Sequence, residues 1–334
     1  MIYGPCGGVT AQGGCEVDGT LPCPFAGKPL VEWPKSSRPP ARPDFAPLPS
    51  PWVVAELGVR ARDRASIRRF LRGLNGACDA VLVGDLGAGK HDFPPSYIAG
   101  MVLEAGLVPW VVLSCRDRNN VALAAECAAL ADLGVGGVHC VTGDWVPAGT
   151  GQVFDLDSLR LVSLAADHGL RVSVAANPAA PPVSLRPARL ASKAAAGASV
   201  CFVNYSGGPR VVAQFVGAAT NIGVKMEFVP CVAVRTDSAS SDPRRWSSGA
   251  RLDEDGTGHA PVPGAGPAAS TDAAVRRAER MLAIPGVVGV DLACSTPPGT
   301  EAVSAGLLAE VSSRLRGGIK SPPSPATSGE TPWP

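Results

Sequence analysis

The sequence predicts an α/β protein built as a (β/α)8 barrel. Three observations predict it. Eight short apolar runs recur along the chain, at 52–57, 80–83, 108–113, 138–141, 172–176, 200–203, 226–234 and 287–292. Segments of helical period separate most of them, and a last one follows the eighth run. The polar residues collect just after the runs, where parallel α/β proteins keep their chemistry.

The 334 residues are enough for one large domain with extensions, and 46% hydrophobic content can supply a full core. Eight strand–helix units over about 265 residues suit a barrel in count and size. An open doubly wound sheet is the competitor. No GxGxxG loop follows the first run, which counts against its dinucleotide-binding version. Net charge is +1, so there is no electrostatic case for nucleic acid or an anionic membrane surface. No apolar stretch is long enough to span a bilayer, and the first residues lack the pattern of a signal peptide. A cytoplasmic protein is expected.

Residues 1–33 are dense in glycine and proline and carry Cys6, Cys15 and Cys23 with spacing C-x8-C-x7-C. So irregular a segment buries little of itself, and a metal would explain the cysteines. Three local ligands are one short of a tetrahedral set, and no histidine lies near. Free thiols packed on the barrel are the competing expectation. Residues 34–51 hold seven prolines and read as an extended spacer, so the folded domain is expected to start near Trp52 and run to 316.

From Trp52 the helical segments fall at 63–74, 96–105, 119–133, 156–168, 185–196, 209–221, 271–284 and 302–315. The seventh unit is irregular: 235–270 is polar, Gly- and Pro-rich, and is expected to be a mostly disordered loop. A tail over 317–334, rich in Pro, Gly and Ser, is expected to be disordered as well. The remaining seven cysteines lie in or beside apolar runs and are expected to be buried thiols.

Four stretches resemble the methylenetetrahydrofolate reductase family, in order and register. They are LSCRDRN from Leu113, TGD at Thr142–Asp144 followed by FDLDS from Phe154, VAANPAAPP from Val174, and LRPARLASKAAAGA from Leu185. The cysteine-bearing N-terminus also resembles a small module of some relatives, usually tied to zinc or iron–sulfur chemistry. The resemblance implies reduction of 5,10-methylenetetrahydrofolate to 5-methyltetrahydrofolate in one-carbon metabolism and methionine biosynthesis. FAD would carry hydride from NAD(P)H. It implies Glu56 as the acid that opens the imidazolidine ring, and Asp144 as the residue beside flavin and pterin. A carboxyl among apolar neighbours at a strand end can hold a proton near neutral pH, which suits the role given to Glu56.

Asp85, Arg116, Thr142, Gly143, Asp144, Asp157, Asn177 and Lys193 would face the cofactor. Glu56, Asp144 and Asn204 would face the folate. For Arg116, an internal ion-pair lattice is an equal expectation. For Asp157 and Lys193, helix capping and the helix dipole are sufficient explanations.

The chain also departs from the family pattern. Val112 stands where many relatives have His or Gln, Ala176-Asn177 where flavin-dependent members have an aromatic, Pro181 where they have His, and Asn204 in place of Thr-Gln. The departures touch the flavin side more than the folate side. Two alternatives therefore stand: a flavin-independent, folate-dependent one-carbon enzyme, and a non-catalytic partner subunit of a methyltransferase or redox complex. Homo-oligomerisation stays open.

Overall fold

The computed structural model describes residues 45–84, 92–143, 153–180, 182–204, 208–234 and 267–317. Eight strands alternate with eight helices. The strands are β1 (Trp52–Glu56), β2 (Ala80–Val83), β3 (Pro109–Ser114), β4 (Gly137–Val141), β5 (Val172–Ala176), β6 (Val200–Val203), β7 (Glu227–Ala233) and β8 (Gly289–Ala293). The helices are α1 (Arg64–Leu74), α2 (Pro95–Glu104), α3 (Asn120–Asp132), α4 (Ser158–Asp167), α5 (Arg186–Ala196), α6 (Pro209–Asn221), α7 (Pro267–Leu282) and α8 (Glu301–Gly317). All pairings are parallel, and β8 pairs with β1 to close the barrel. The expected (β/α)8 barrel is therefore the observed fold. Among the described residues no helix is long and apolar enough to cross a membrane.

Local chemistry sets the helix starts. Asp63, Asn119 and Asp157 each precede a helix in extended conformation and accept from the backbone N–H three residues on, at 2.9 Å in each case. Helix α3 is rich in alanine and leucine, yet it buries only Leu123, Cys127 and Leu130, one stripe at helical spacing.

Alternate strand residues build two cores. Val53, Val81, Val111, Val138, Val172 and Cys201 face outward and pack beneath the helices with Ile67, Phe70, Leu123 and Leu161. Trp52, Val54, Leu82, Trp110, Phe202 and Val229 fill the interior. Trp52 and Trp110 meet edge to face at 4.9 Å. Two neighbours must be glycine for this to fit: a Cβ on Gly137 would lie 2.6 Å from the Trp110 ring, and one on Gly289 would lie 2.0 Å from the Trp52 carbonyl.

A polar knot sits inside the same layer. Trp110 Nε1 donates to Ser173 Oγ at 2.7 Å, and Ser173 donates to the Val138 carbonyl at 3.1 Å. With its proton used, Ser173 can only accept from His139 Nδ1, 2.9 Å away, so that nitrogen carries the hydrogen. Burial, aided by the Lys193 charge, pushes His139 down to about 3, and the ring stays neutral.

The amino-terminal end of the barrel is covered by the approach to β1. Leu48 packs on the interior cluster, and its N–H donates to Glu227 Oε1 at 2.8 Å. Arg171 pairs with Glu227 and donates to the Ala46 carbonyl at 2.9 Å. Residues 45–51 thus contact the barrel. Helix α7 begins at Pro267, four residues before the expected start; proline has no N–H to lose in a first turn.

Candidate functional site at the carboxyl-terminal rim

All eight strands point the same way, so the ends of β1 and β6 share one rim. Glu56 closes β1, and Asn204 follows β6 directly. Both are half-buried. Asp85 and Asp144, expected beside them, lie outside the described residues, as do Cys6, Cys15 and Cys23. Among the described residues no group of three or more metal-ligating side chains could hold a metal ion.

The loops after β3 and β4 lock together. Gly143 has φ +92°, and a Cβ there would lie 2.0 Å from Ser114 Oγ and 3.1 Å from Arg116 Cγ. Only glycine fits the turn and the contact together. Arg116 is buried, its guanidinium 5.8 Å over the Phe154 ring, and its carbonyl accepts from Val153 N at 3.0 Å. Beside it, burial pushes the Cys115 thiol up to about 12, so it is a packed thiol.

Other expected cofactor residues have partners inside the fold. Asp157 caps α4 and is buried, and burial raises its pKa. Thr142 Oγ1 accepts from Ser158 N at 3.4 Å. Asn177 Oδ1 accepts from Ala179 N at 3.1 Å, closing a turn after β5. Lys193 sends its ammonium into the barrel wall, where Nζ donates to the Ala175 carbonyl at 2.9 Å. Burial lowers its pKa. Of the seven cysteines expected to be buried thiols, Cys78, Cys115, Cys127, Cys140 and Cys201 are buried, whereas Cys231 and Cys294 are half-buried.

One rim residue escaped the sequence reading. Asp291 points inward from β8, 1% exposed, and its Oδ2 accepts from Cys231 Sγ at 3.2 Å. Burial, and next the charge of Glu56, hold the Asp291 carboxyl well above the usual carboxylate range. The signal available was one carboxylate interrupting the apolar run at 287–292.

No family model and no curated protein matches the chain. Solved structures do. One is an uncharacterized protein from Clostridium thermocellum that binds two copies of 5-methyl-5,6,7,8-tetrahydrofolic acid. It superposes with a TM-score of 0.58 at 10% identity, over 81% of this chain and 97% of that chain. A tryptophan synthase structure from Mycobacterium tuberculosis gives 0.46 at 13% identity, over 79% of this chain and 93% of that chain. At these identities the likeness to the Clostridium protein is one of fold.

Proposed function

We propose that this barrel binds a reduced folate at its carboxyl-terminal rim and reduces 5,10-methylenetetrahydrofolate, with Glu56 as the acid. The observation that carries the reading is a half-buried carboxyl closing β1, backed by a buried second carboxyl, in a barrel of the same fold as a protein that binds 5-methyltetrahydrofolate. The sequence motifs resembling the reductase family support it independently. A carboxyl so placed can protonate the leaving nitrogen of the imidazolidine ring. Asn204, at the end of β6, has an amide that can pair with a pterin edge.

The finer version adds FAD and NAD(P)H, and it rests on the sequence resemblance. Among the described residues expected to face it, Lys193 donates to a wall carbonyl, Asp157 caps a helix and Asn177 closes a turn. This favours a second reading, a folate-dependent one-carbon enzyme on the same scaffold that works without flavin. The chemistry assigned to this chain's own residues is therefore the folate half of the reaction.

Two measurements test the proposal. Calorimetric titration with 5-methyltetrahydrofolate should show saturable binding to the wild-type protein; no binding overturns the folate reading. The visible spectrum of the purified protein separates the versions, since a flavin band supports the reductase with FAD and a colourless, folate-binding protein supports the flavin-free enzyme.

A further inference from the structure

Asp291 stands one step below the rim, between two strands that both address it. Its Cα partners are Val54 on β1 and Cys231 on β7. Glu56 follows Ala55, the partner of Leu292, so it lies just above Asp291 on the adjoining strand. Cys231 satisfies Oδ2. Oδ1 is buried and meets no hydrogen-bond donor among the described residues. The group that faces the Asp291 carboxyl is the carboxyl of Glu56. Two acceptor-only carboxylates cannot bond to each other. One proton between them makes one a donor and gives Oδ1 its missing partner.

We infer that Asp291 is a positioning residue for Glu56, and that a single proton held between the two carboxyls keeps an acid available at the rim. Its role in turnover rests on the folate reading above; the shared proton does not. The low dielectric supports it, because a carboxyl as buried as Asp291 resists ionising beside a second carboxylate. Among the described residues, the other titratable groups around the pair are thiols. Cys231 on β7 and Cys294 after β8 both feel Glu56, and Cys201 on β6 lies behind Cys231. All three are pushed up by burial, so they remain uncharged.

In turnover, Glu56 would give its proton to the leaving ring nitrogen as the C–N bond breaks. That bond's electron pair stays on the leaving nitrogen. The other ring nitrogen shares its lone pair with the carbon to form the cationic iminium. The second negative charge on the pair is offset by that cation while it lasts; hydride originating from the NAD(P)H of the reading above adds to the iminium carbon to give the methyl group, and the pair then takes a proton back from water.

The test uses Asp291→Asn, which keeps shape and can still donate to Glu56 but cannot titrate, together with Glu56→Gln. Urea unfolding is measured for wild type and both variants from about pH 4 to 8. The native pair binds a proton more tightly than the unfolded chain does. The wild type therefore has its full stability below the unfolded carboxylate range and loses some as pH rises. Relative to wild type, the unfolding constant of Asp291→Asn should fall with rising pH, by up to tenfold per pH unit. Glu56→Gln should show the same trend, and it reads the proton from the other side if Asp291→Asn does not fold. A ratio that is flat with pH in the variants that fold overturns the inference and leaves Asp291 a packing residue. In the folate half-reaction, Asp291→Asn should lose activity at lower pH than wild type does, because Glu56 then ionises earlier; an unmoved profile overturns the positioning role. If wild type binds no 5-methyltetrahydrofolate while the stability ratio still varies with pH, the folate reading fails and the shared proton stands.

Discussion

The two ends of this barrel solve opposite problems. The amino-terminal half of the interior holds Trp52, Trp110 and Phe202, and glycines at 137 and 289 make room for the tryptophan ring and backbone. The Trp110 indole N–H, the Ser173 hydroxyl and His139 Nδ1 bond to one another and to the Val138 carbonyl within the layer. The carboxyl-terminal rim instead brings Glu56 towards Asp291, and it surrounds them with small side chains such as Ala233, Ala293 and Cys231. One end gains stability from close packing. The other keeps a buried acid in an arrangement that costs stability at neutral pH. The strands are shared, so the difference lies entirely in which side chains face inward at each level.

The largest expected effect separates the ends by function. Glu56→Gln keeps size and polarity but removes a transferable proton. The folate half-reaction should fall by about 10²–10⁴-fold. 5-Methyltetrahydrofolate should still bind in calorimetry, and urea stability at neutral pH should hold or rise. A variant with wild-type folate turnover rules out the acid role.

The converse experiment is at the other end. Trp110→Ala removes one of the two interior tryptophans and takes the indole donor from Ser173. It should cost roughly 3–5 kcal/mol in urea unfolding. The protein that remains folded should bind folate as wild type does. If binding fails in proportion to stability, the two ends are not separable.

Much of the scaffold was legible because parallel strands are covered on both faces and so read as unbroken apolar runs. Ends were less sharp. Strand β8 starts at Gly289 and not at 287, although Val287 already makes an isolated bridge to Phe228 of β7. Glu56 was legible as a carboxylate closing a run. Asp291 was not, because its meaning depends on β8 closing against β1, a pairing such as Val54 with Asp291, 237 positions apart, that no local pattern encodes. Lys193 shows the reverse problem. Its position late in α5 suggests a ligand or a dipole partner, and only the three-dimensional structure shows the ammonium on the Ala175 carbonyl.

A smaller effect tests how the rim holds its loops. Gly143→Ala must place a methyl against Ser114 Oγ and adopt a left-handed φ. The expected cost is about 1–3 kcal/mol, from strain and overpacking together. Because the loops after β3 and β4 move with it, folate affinity should drop as well. Loss of stability with unchanged affinity would place the folate away from these loops.

The smallest expected effect comes from a second kind of rim carboxyl. Glu301 opens α8 and is 1% exposed, like Asp291, but its surroundings are donors. Ser66 Oγ donates to it at 2.7 Å, and Arg60 and Arg69 each approach at 3.4 Å. The Ser66 hydroxyl first, then the backbone N–H of Glu301 itself and Arg69, lower its pKa from 4.5 to about 2. The unfolded chain therefore binds the proton more readily than the native one. The stability this gives is present above about pH 4.5 and is lost as pH falls toward about 2. Asp291 has the opposite sign, its stability falling as pH rises. Glu301→Gln should flatten the acid limb of a urea-stability profile and leave the neutral limb alone, whereas Asp291→Asn should change the neutral limb. If both substitutions moved the same limb, burial alone would govern rim carboxyls, and the identity of the neighbouring group, donor or carboxyl, would not matter.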